Sequence, residues 1–458
     1  MITLHIGMDD TDSPRAGCTT YVASLLVERL HALGVSFIDY PNLVRLNPNV
    51  PWKTRGNGAL CLRIRCSETQ VEEIRGIAVE TVESNSDLSH AGTEPGLVLL
   101  PGREIPIELT TFAKKAIQGV VKMKEAMGLI TRYKADAVTF KTGRGVIGAL
   151  AAIGETLTKD HTFELIAYRI PANYGSKRLV DVDSVFEMNE NTKPLTFNNI
   201  DPERRRILIS PHGPDPILYG VRGKTATIVK QGHQMIRCLE PIERWTVFRT
   251  NQGTDAHLGQ VASIKDIRAY HPVIVKGVVS KPPRIIPRRH IVFTLKDATG
   301  QIDCAAYEPT GELRKKASEL IVGDIIEASG GVRPALPTRP MTVNLEKFKL
   351  TDLQRRFAFQ NPLCPSCGKR MKSMGTEKGF RCGGCGFRSR EVKKHMIEIK
   401  RGVEPGLYIT APRSQRHLAK PLSRYGMENG RKHGRMVSDW FWVMNDPKVT
   451  PSQGSARF

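Results

Sequence analysis

Residues 364–385 read CPSCGKRMKSMGTEKGFRCGGC, two Cys-x2-Cys pairs with 14 residues between them. Each pair spans one edge of a tetrahedron, so thiolates at this spacing close a structural zinc site on Cys364, Cys367, Cys382 and Cys385. Gly375, Gly379, Gly383 and Gly384 allow the tight turns such knuckles need. Two disulfides or buried free thiols compete with zinc; the doubled spacing and the lack of a secretory leader argue against both. Immediately upstream the pattern is that of strands. Segments 273–279, 290–296, 302–307, 325–332 and 342–350 read as five of them, with the turn DATG at 297–300 and one helix at 311–320 between the third and fourth. That order predicts an OB-fold barrel, a fold that commonly binds oligonucleotides across strands two and three; a purely structural barrel is the plainer reading.

Further from the ribbon, charge narrows the partners. The 458-residue chain carries 68 Lys and Arg against 46 Asp and Glu, a net +22, and length alone suggests three or four domains. Segment 393–448 is densely basic, while 200–263 is nearly balanced. A basic excess of this kind favours phosphate-rich partners over acidic small molecules. Apolar content of 40% with 25% charged residues suits a soluble globular protein. No apolar run nears the ~18 residues of a membrane span. The start, MITLHIGMDD, turns acidic too early for a signal peptide, and the five other cysteines (18, 61, 66, 238, 304) form no framework, as expected in a reducing cytosol.

Toward the N-terminus strands alternate with helices. Segment 2–8 is an apolar strand, and Val22, Leu25, Leu26 and Leu30 fall at helical spacing before Gly34. Further strands are expected at 42–46, 58–66 and 163–170, and helices at 71–83, 112–127 and from 145. This predicts one or two α/β domains over the first 200 to 260 residues, followed by a ferredoxin-like split βαβ segment returning through 245–250.

Three features of that region point to phosphate chemistry. Asp9, Asp10 and Asp12 follow the first strand at once, and carboxylates so crowded repel unless a cation neutralises them, for which Mg²⁺ is the hard-oxygen choice. An acidic helix cap is the competing use. Thr19 and Thr20, after Cys18, open the next helix, where hydroxyls cap or contact phosphate. Lys53, Arg55, Gly56, Asn57 and Gly58, and again Gly143, Arg144 and Gly145, join cations to close-approach glycines; neither is a Walker sequence, and ordinary turns look the same.

These residues resemble one family, the archaeal isoleucine-tRNA 2-agmatinylcytidine synthetases (TiaS). The similar blocks run through nearly the whole chain: GMDDTDS (7–13), CTTY (18–21), RLNPNVPWKTRGNGA (45–59), GRGVIGALAAIG (143–154), ELIAYR (164–169), LYGVRG (218–223), CAAYEPT (304–310), CPSCGKRM (364–371) and RHLAKPL (416–422). The resemblance implies a multidomain α/β plus all-β enzyme: a kinase-like catalytic domain over 1–199, a ferredoxin-like segment over 200–265, the OB-fold over 268–352 and the zinc ribbon over 358–395. A basic extension over 396–458, ending in a polar tail, would complete it. It implies joining of agmatine to C2 of the wobble cytidine of CAU-anticodon isoleucine tRNA, with ATP consumed and the codon AUA read as isoleucine. Carried over by position, Asp9, Asp10 and Asp12 would hold Mg²⁺, Thr19 would take up phosphate, and Lys53, Arg55 and both glycine loops would cradle ATP. A cytoplasmic enzyme is then expected. Two other readings remain at this point: a non-catalytic OB-fold and zinc-ribbon single-strand binder, and a small-molecule kinase with an accessory RNA domain.

Overall fold

The computed structural model describes residues 1–430 and 434–444; the polar tail expected at the end of the chain falls largely on 445–458, outside them. A ten-stranded sheet organises the first 250 residues. Its central path runs Ile217–Gly223, Thr162–Arg169, Ile242–Thr250, Asn42–Arg45, Gly58–Cys66, Ile2–Asp9, Gly96–Pro101 and Asp136–Thr139. The two halves meet where Arg249 and Thr250 pair in parallel with Asn42 and Leu43; the other pairings in this sheet are antiparallel. The strands expected around 217–250 thus hydrogen-bond directly to Thr162–Arg169 and share its sheet.

Side-chain alternation decides which face each helix covers. Leu4, Ile6 and Met8 turn into the larger core, with the helices Thr19–Ala32, Val71–Ser84, Val182–Thr192 and Ala226–Met235. On the other face the helices Ile107–Gln118, Met123–Arg132 and Val146–Gly154 cover only the N-terminal half, over Cys61, Val98 and Leu100. The opposite face of the C-terminal half is therefore left for something else. The single helix expected over 112–127 is two helices. Gly119 is extended (φ −167°), and its carbonyl accepts from Asn47 Nδ2 at 2.8 Å; a Cβ there would come within 2.9 Å of His271 Nε2.

The second body is a closed five-stranded barrel. Pro272–Ile286 pairs with His290–Lys296 and Ile325–Arg333, His290–Lys296 with Gln301–Ala306, and Ile325–Arg333 with Thr342–Asp352. Closure comes from parallel pairing of 303–305 with 342–344, the OB-fold arrangement that the strand order predicts. A sixth strand, Gly406–Ile409, lies against Thr342–Asp352. Beyond the barrel a two-stranded stalk, Arg356–Gln360 with His395–Ile399, carries the cysteine-bearing ribbon.

The basic C-terminal segment is woven into both bodies. Phe441–Val443 pairs with Arg244–Thr246 at the sheet junction, and Trp440 packs edge-on against Phe37 and Tyr40.

Candidate functional site

A cavity of ≈ 700 Å³ opens beyond the carboxyl end of Ile2–Asp9. There the chain turns through Asp10 with φ 60°, a left-handed conformation that a short polar side chain tolerates. Every sequence-derived site residue of the N-terminal region except Gly143 lines this cavity: Asp9, Asp10, Asp12, Thr19, Lys53, Arg55, Gly56, Asn57, Gly58, Arg144 and Gly145. Gly143 sits behind the wall with φ +79°, and a Cβ there would strike Thr139 at 2.6 Å.

Each glycine loop delivers a cation to a different carboxylate. Arg144 Nη2 donates to Asp10 Oδ2 at 3.0 Å and to Gly92 O at 2.8 Å. Arg55 Nε donates to Asp12 Oδ2 at 3.0 Å, while its Nη1 reaches Asp215 Oδ2 at 3.3 Å. Asp9 takes no ion pair among the described residues. Its carboxylate lies against the helix Val146–Gly154 where a Cβ on Gly148 would stand 1.8 Å from Oδ2, so only glycine permits the approach. Burial, then the charge of Asp10, pushes the Asp9 carboxyl well above the ordinary range, and burial raises Asp10 as well. A cation beside these carboxyls would replace the solvation that burial removes. The acidic turn thus fits a hard divalent ion in donor type, although its three carboxylates do not converge: among the described residues the one group of three or more converging metal-ligating side chains is the cysteine cluster.

The threonines do not cap their helix. Cys18 is the N-cap residue and makes no side-chain capping bond. Thr19 Oγ1 instead accepts from the buried Thr11 hydroxyl at 3.1 Å, which ties it to the acidic turn, and Thr20 Oγ1 lies 3.0 Å from Cys18 Sγ.

Sequence reasoning missed the opposite wall. Arg45, Glu164, Asp215, Arg222 and His417 also face the cavity, where the sheet carries no helices. Arg222 Nε donates to Glu164 Oε1 at 2.9 Å, Gln252 Nε2 donates to Glu164 Oε2, and Arg222 Nη2 lies 3.1 Å from His417 Nδ1. The positive charge of Arg45, then burial, then Arg222 hold His417 well below the ordinary histidine range, so it is neutral at physiological pH. A Cβ at Gly56 would meet His417 Nε2 at 2.8 Å; that glycine makes room for a residue 361 positions later in the chain. The blocks ELIAYR, LYGVRG and RHLAKPL contained Glu164, Arg222 and His417, but nothing in their spacing says which residue turns inward.

The four cysteines form the second site. Their Sγ atoms lie within 4.8 Å of one another, with Cys364 to Cys385 and Cys367 to Cys382 at 3.4 Å. That crowding suits tetrahedral zinc, whose bonds to sulfur are about 2.3 Å. Amide N–H groups of Cys385 and Gly384 hold the Cys382 thiol down to about 6, favouring the ligating thiolate. The Phe387 amide pulls Cys385 down, but hydrogen bonds to Cys364 and Cys367 prevail and push it up to about 12.

Comparison with known proteins matches most of the chain to described domains. Residues 5–143 match the family model of the TiaS TCKD domain, 143–257 the TiaS FLD domain, and 361–403 the TiaS C-terminal zinc ribbon domain. Residues 273–351 match the OB-fold nucleic acid binding domain. The tRNA(Ile2) 2-agmatinylcytidine synthetase TiaS of Methanosarcina acetivorans is 41% identical over 438 residues, covering 93% of this chain and 99% of that protein. A TiaS–tRNA(Ile2)–ATP crystal structure superposes with a TM-score of 0.82 at 36% identity, covering 93% of this chain and 98% of that one. A TiaS–tRNA(Ile2)–AMPCPP–agmatine complex superposes at 0.80 and 33%, over the same shares.

Proposed function

This chain belongs to the TiaS family, and from that premise we propose that it is a cytoplasmic ligase joining agmatine to C2 of the wobble cytidine of CAU-anticodon isoleucine tRNA at the expense of ATP. The observation that carries the reading is the convergence of the acidic turn and both glycine loops on one cavity, in a chain that also carries an OB-fold and a zinc ribbon. The non-catalytic binder leaves that convergence without a use.

The C2 oxygen of cytosine is a poor leaving group, so it is phosphorylated before the primary amine of agmatine displaces it. The target base leaves its stack to be reached, and a cavity of ≈ 700 Å³ is large enough to receive it. Lys53, Arg55, Arg144 and the glycine loops hold the phosphates of ATP, and their cations meet the charge that moves during phosphoryl transfer. Asp9, Asp10 and Asp12 would hold Mg²⁺, which would neutralise phosphate oxygens when bound. For that to happen Arg144 and Arg55 exchange a carboxylate for a phosphate partner, a swap of one charge-assisted bond for another. Thr19, fixed by Thr11, is the hydroxyl that takes up phosphate. Cys364, Cys367, Cys382 and Cys385 bind Zn²⁺ and keep the ribbon folded for RNA contact.

ATP turnover measured with and without tRNA and agmatine tests this. ATP cleavage that requires both is expected. Turnover indifferent to tRNA would instead favour a small-molecule kinase.

A further inference from the structure

The stalk between barrel and ribbon exposes more apolar surface than its length justifies. Phe357 is 47% exposed, Phe359 69% and Met396 61%, and none of them joins any of the four hydrophobic clusters. A two-stranded ribbon is marginal on its own and normally hides such side chains against a third layer. Its register is informative. Phe357 pairs with Glu398 and Phe359 with Met396, so these four side chains stand on one face. Alternation places Arg355, Lys394 and Lys400 on that face too, all exposed. Arg355 lies 3.9 Å from Glu398, and Lys394 and Lys400 form no ion pair among the described residues.

We propose that this face of the stalk is a stacking platform for unpaired nucleotides of the substrate RNA, with Phe357 and Phe359 receiving bases and Lys394 and Lys400, at the two ends of the face, the phosphates that flank them. Flat aromatic rings flanked by cations take single-stranded nucleic acid whatever its sequence, because every base has a π face. A protein partner of the apolar face would bury Lys394 and Lys400 unpaired, which is costly. The net charge of +22 points the same way. The proposal rests on the RNA substrate inferred above and adds where its unpaired bases are held while the cavity takes the cytidine.

Full-length protein with zinc bound is titrated against the isoleucine tRNA, against a transcript lacking its 3′-terminal unpaired nucleotides, and against an isolated anticodon stem-loop. F357A/F359A is expected to weaken tRNA binding about tenfold or more at unchanged zinc content, while F359W retains it. K394A and K400A each lower the salt slope by about 0.7, which the phenylalanine variants leave alone. If the shortened transcript shows the same loss on F357A/F359A, the platform holds anticodon-loop bases; if the stem-loop shows none, it holds the 3′ end. Should F357A/F359A shed zinc, F359L decides, because it keeps apolar bulk and removes the ring. Wild-type affinity for all three RNAs in F357A/F359A or in F359L overturns the platform, as does an effect that appears only as changed self-association. A protein that fails to modify tRNA yet holds the stem-loop through Phe359 overturns the catalytic reading and keeps the platform. One that modifies tRNA at the wild-type KM without either ring does the reverse.

Discussion

The cavity wall and the zinc ribbon are held in shape by opposite means. Around the cavity, charges from distant segments answer one another: Arg144 with Asp10, Arg55 with Asp12 and Asp215, and Arg222 with Glu164. They are mounted on a sheet whose two faces bury extensive cores. The ribbon buries only Cys364, Met371, Phe380 and Cys382 as its centre and hangs on a stalk whose strands are largely exposed. One site is preorganised by the fold, and the other exists because a metal organises it. Chemistry and RNA grip are therefore separable by mutation, since each site draws its rigidity from a different source.

The largest separation is expected from the acidic turn. Asp10→Ala or Asp12→Ala should lower ATP cleavage by roughly a hundredfold or more, the scale of losing a transition-state charge partner, while tRNA affinity is unchanged. Full activity in both variants would reduce the acidic turn to scaffolding. Next comes a contrast inside one helix turn. Thr19→Ala should cut product formation severely and Thr20→Ala much less, because Thr19 shares a hydrogen bond with the acidic turn and Thr20 faces Cys18. Equal, mild effects in single-turnover assays would remove Thr19 from the mechanism.

The converse experiment acts on the ribbon. Cys364→Ser with Cys367→Ser should release zinc and weaken tRNA binding about tenfold or more, while ATP binding survives. Metal analysis and titration at two salt concentrations report both. A metal-free protein with normal tRNA affinity would falsify the role given to the ribbon.

The smallest expected effect is a gain. Burial holds the Asp9 carboxyl in the folded protein well above its ordinary value of 3.8. The unfolded chain therefore releases that proton first. The associated stability is whole below 3.8 and drains away as pH rises through the native pKa. Asp9→Asn, which cannot ionise, should raise the Tm of the ligand-free protein at pH 8 by a few degrees, on the scale of about 2–4 °C per kcal/mol for domains of this size. The gain should vanish near pH 3 and coincide with lost ATP cleavage. Equal Tm differences at both pH values would show that burial does not strain this carboxyl.

The same contrast explains what could be read from the chain before its fold was seen. The zinc site is a local chelate, two pairs 14 residues apart, and chelate spacing is a property of sequence. The OB strands were legible because alternation and turn residues are local as well. The acidic turn and glycine loops were each ambiguous, and became one site only when pairing of 2–8 with 60–66 and of 4–9 with 96–101 brought them together. His417 had no local signal. Its meaning comes from Arg222 and Gly56, hundreds of residues away. Helix breaking at Gly119 was likewise hidden, since it follows from contacts with Asn47 and His271.

The central claim is that a phosphate-handling cavity and an RNA-gripping ribbon serve one reaction on cytidine. Incubation of the protein with ATP, agmatine and CAU-anticodon isoleucine tRNA, followed by mass spectrometry of the digested nucleosides, tests it most directly. One cytidine per tRNA, at the wobble position, should become heavier by agmatine less water, and only with ATP present. Unmodified cytidine despite ATP consumption and tRNA binding would contradict the claim.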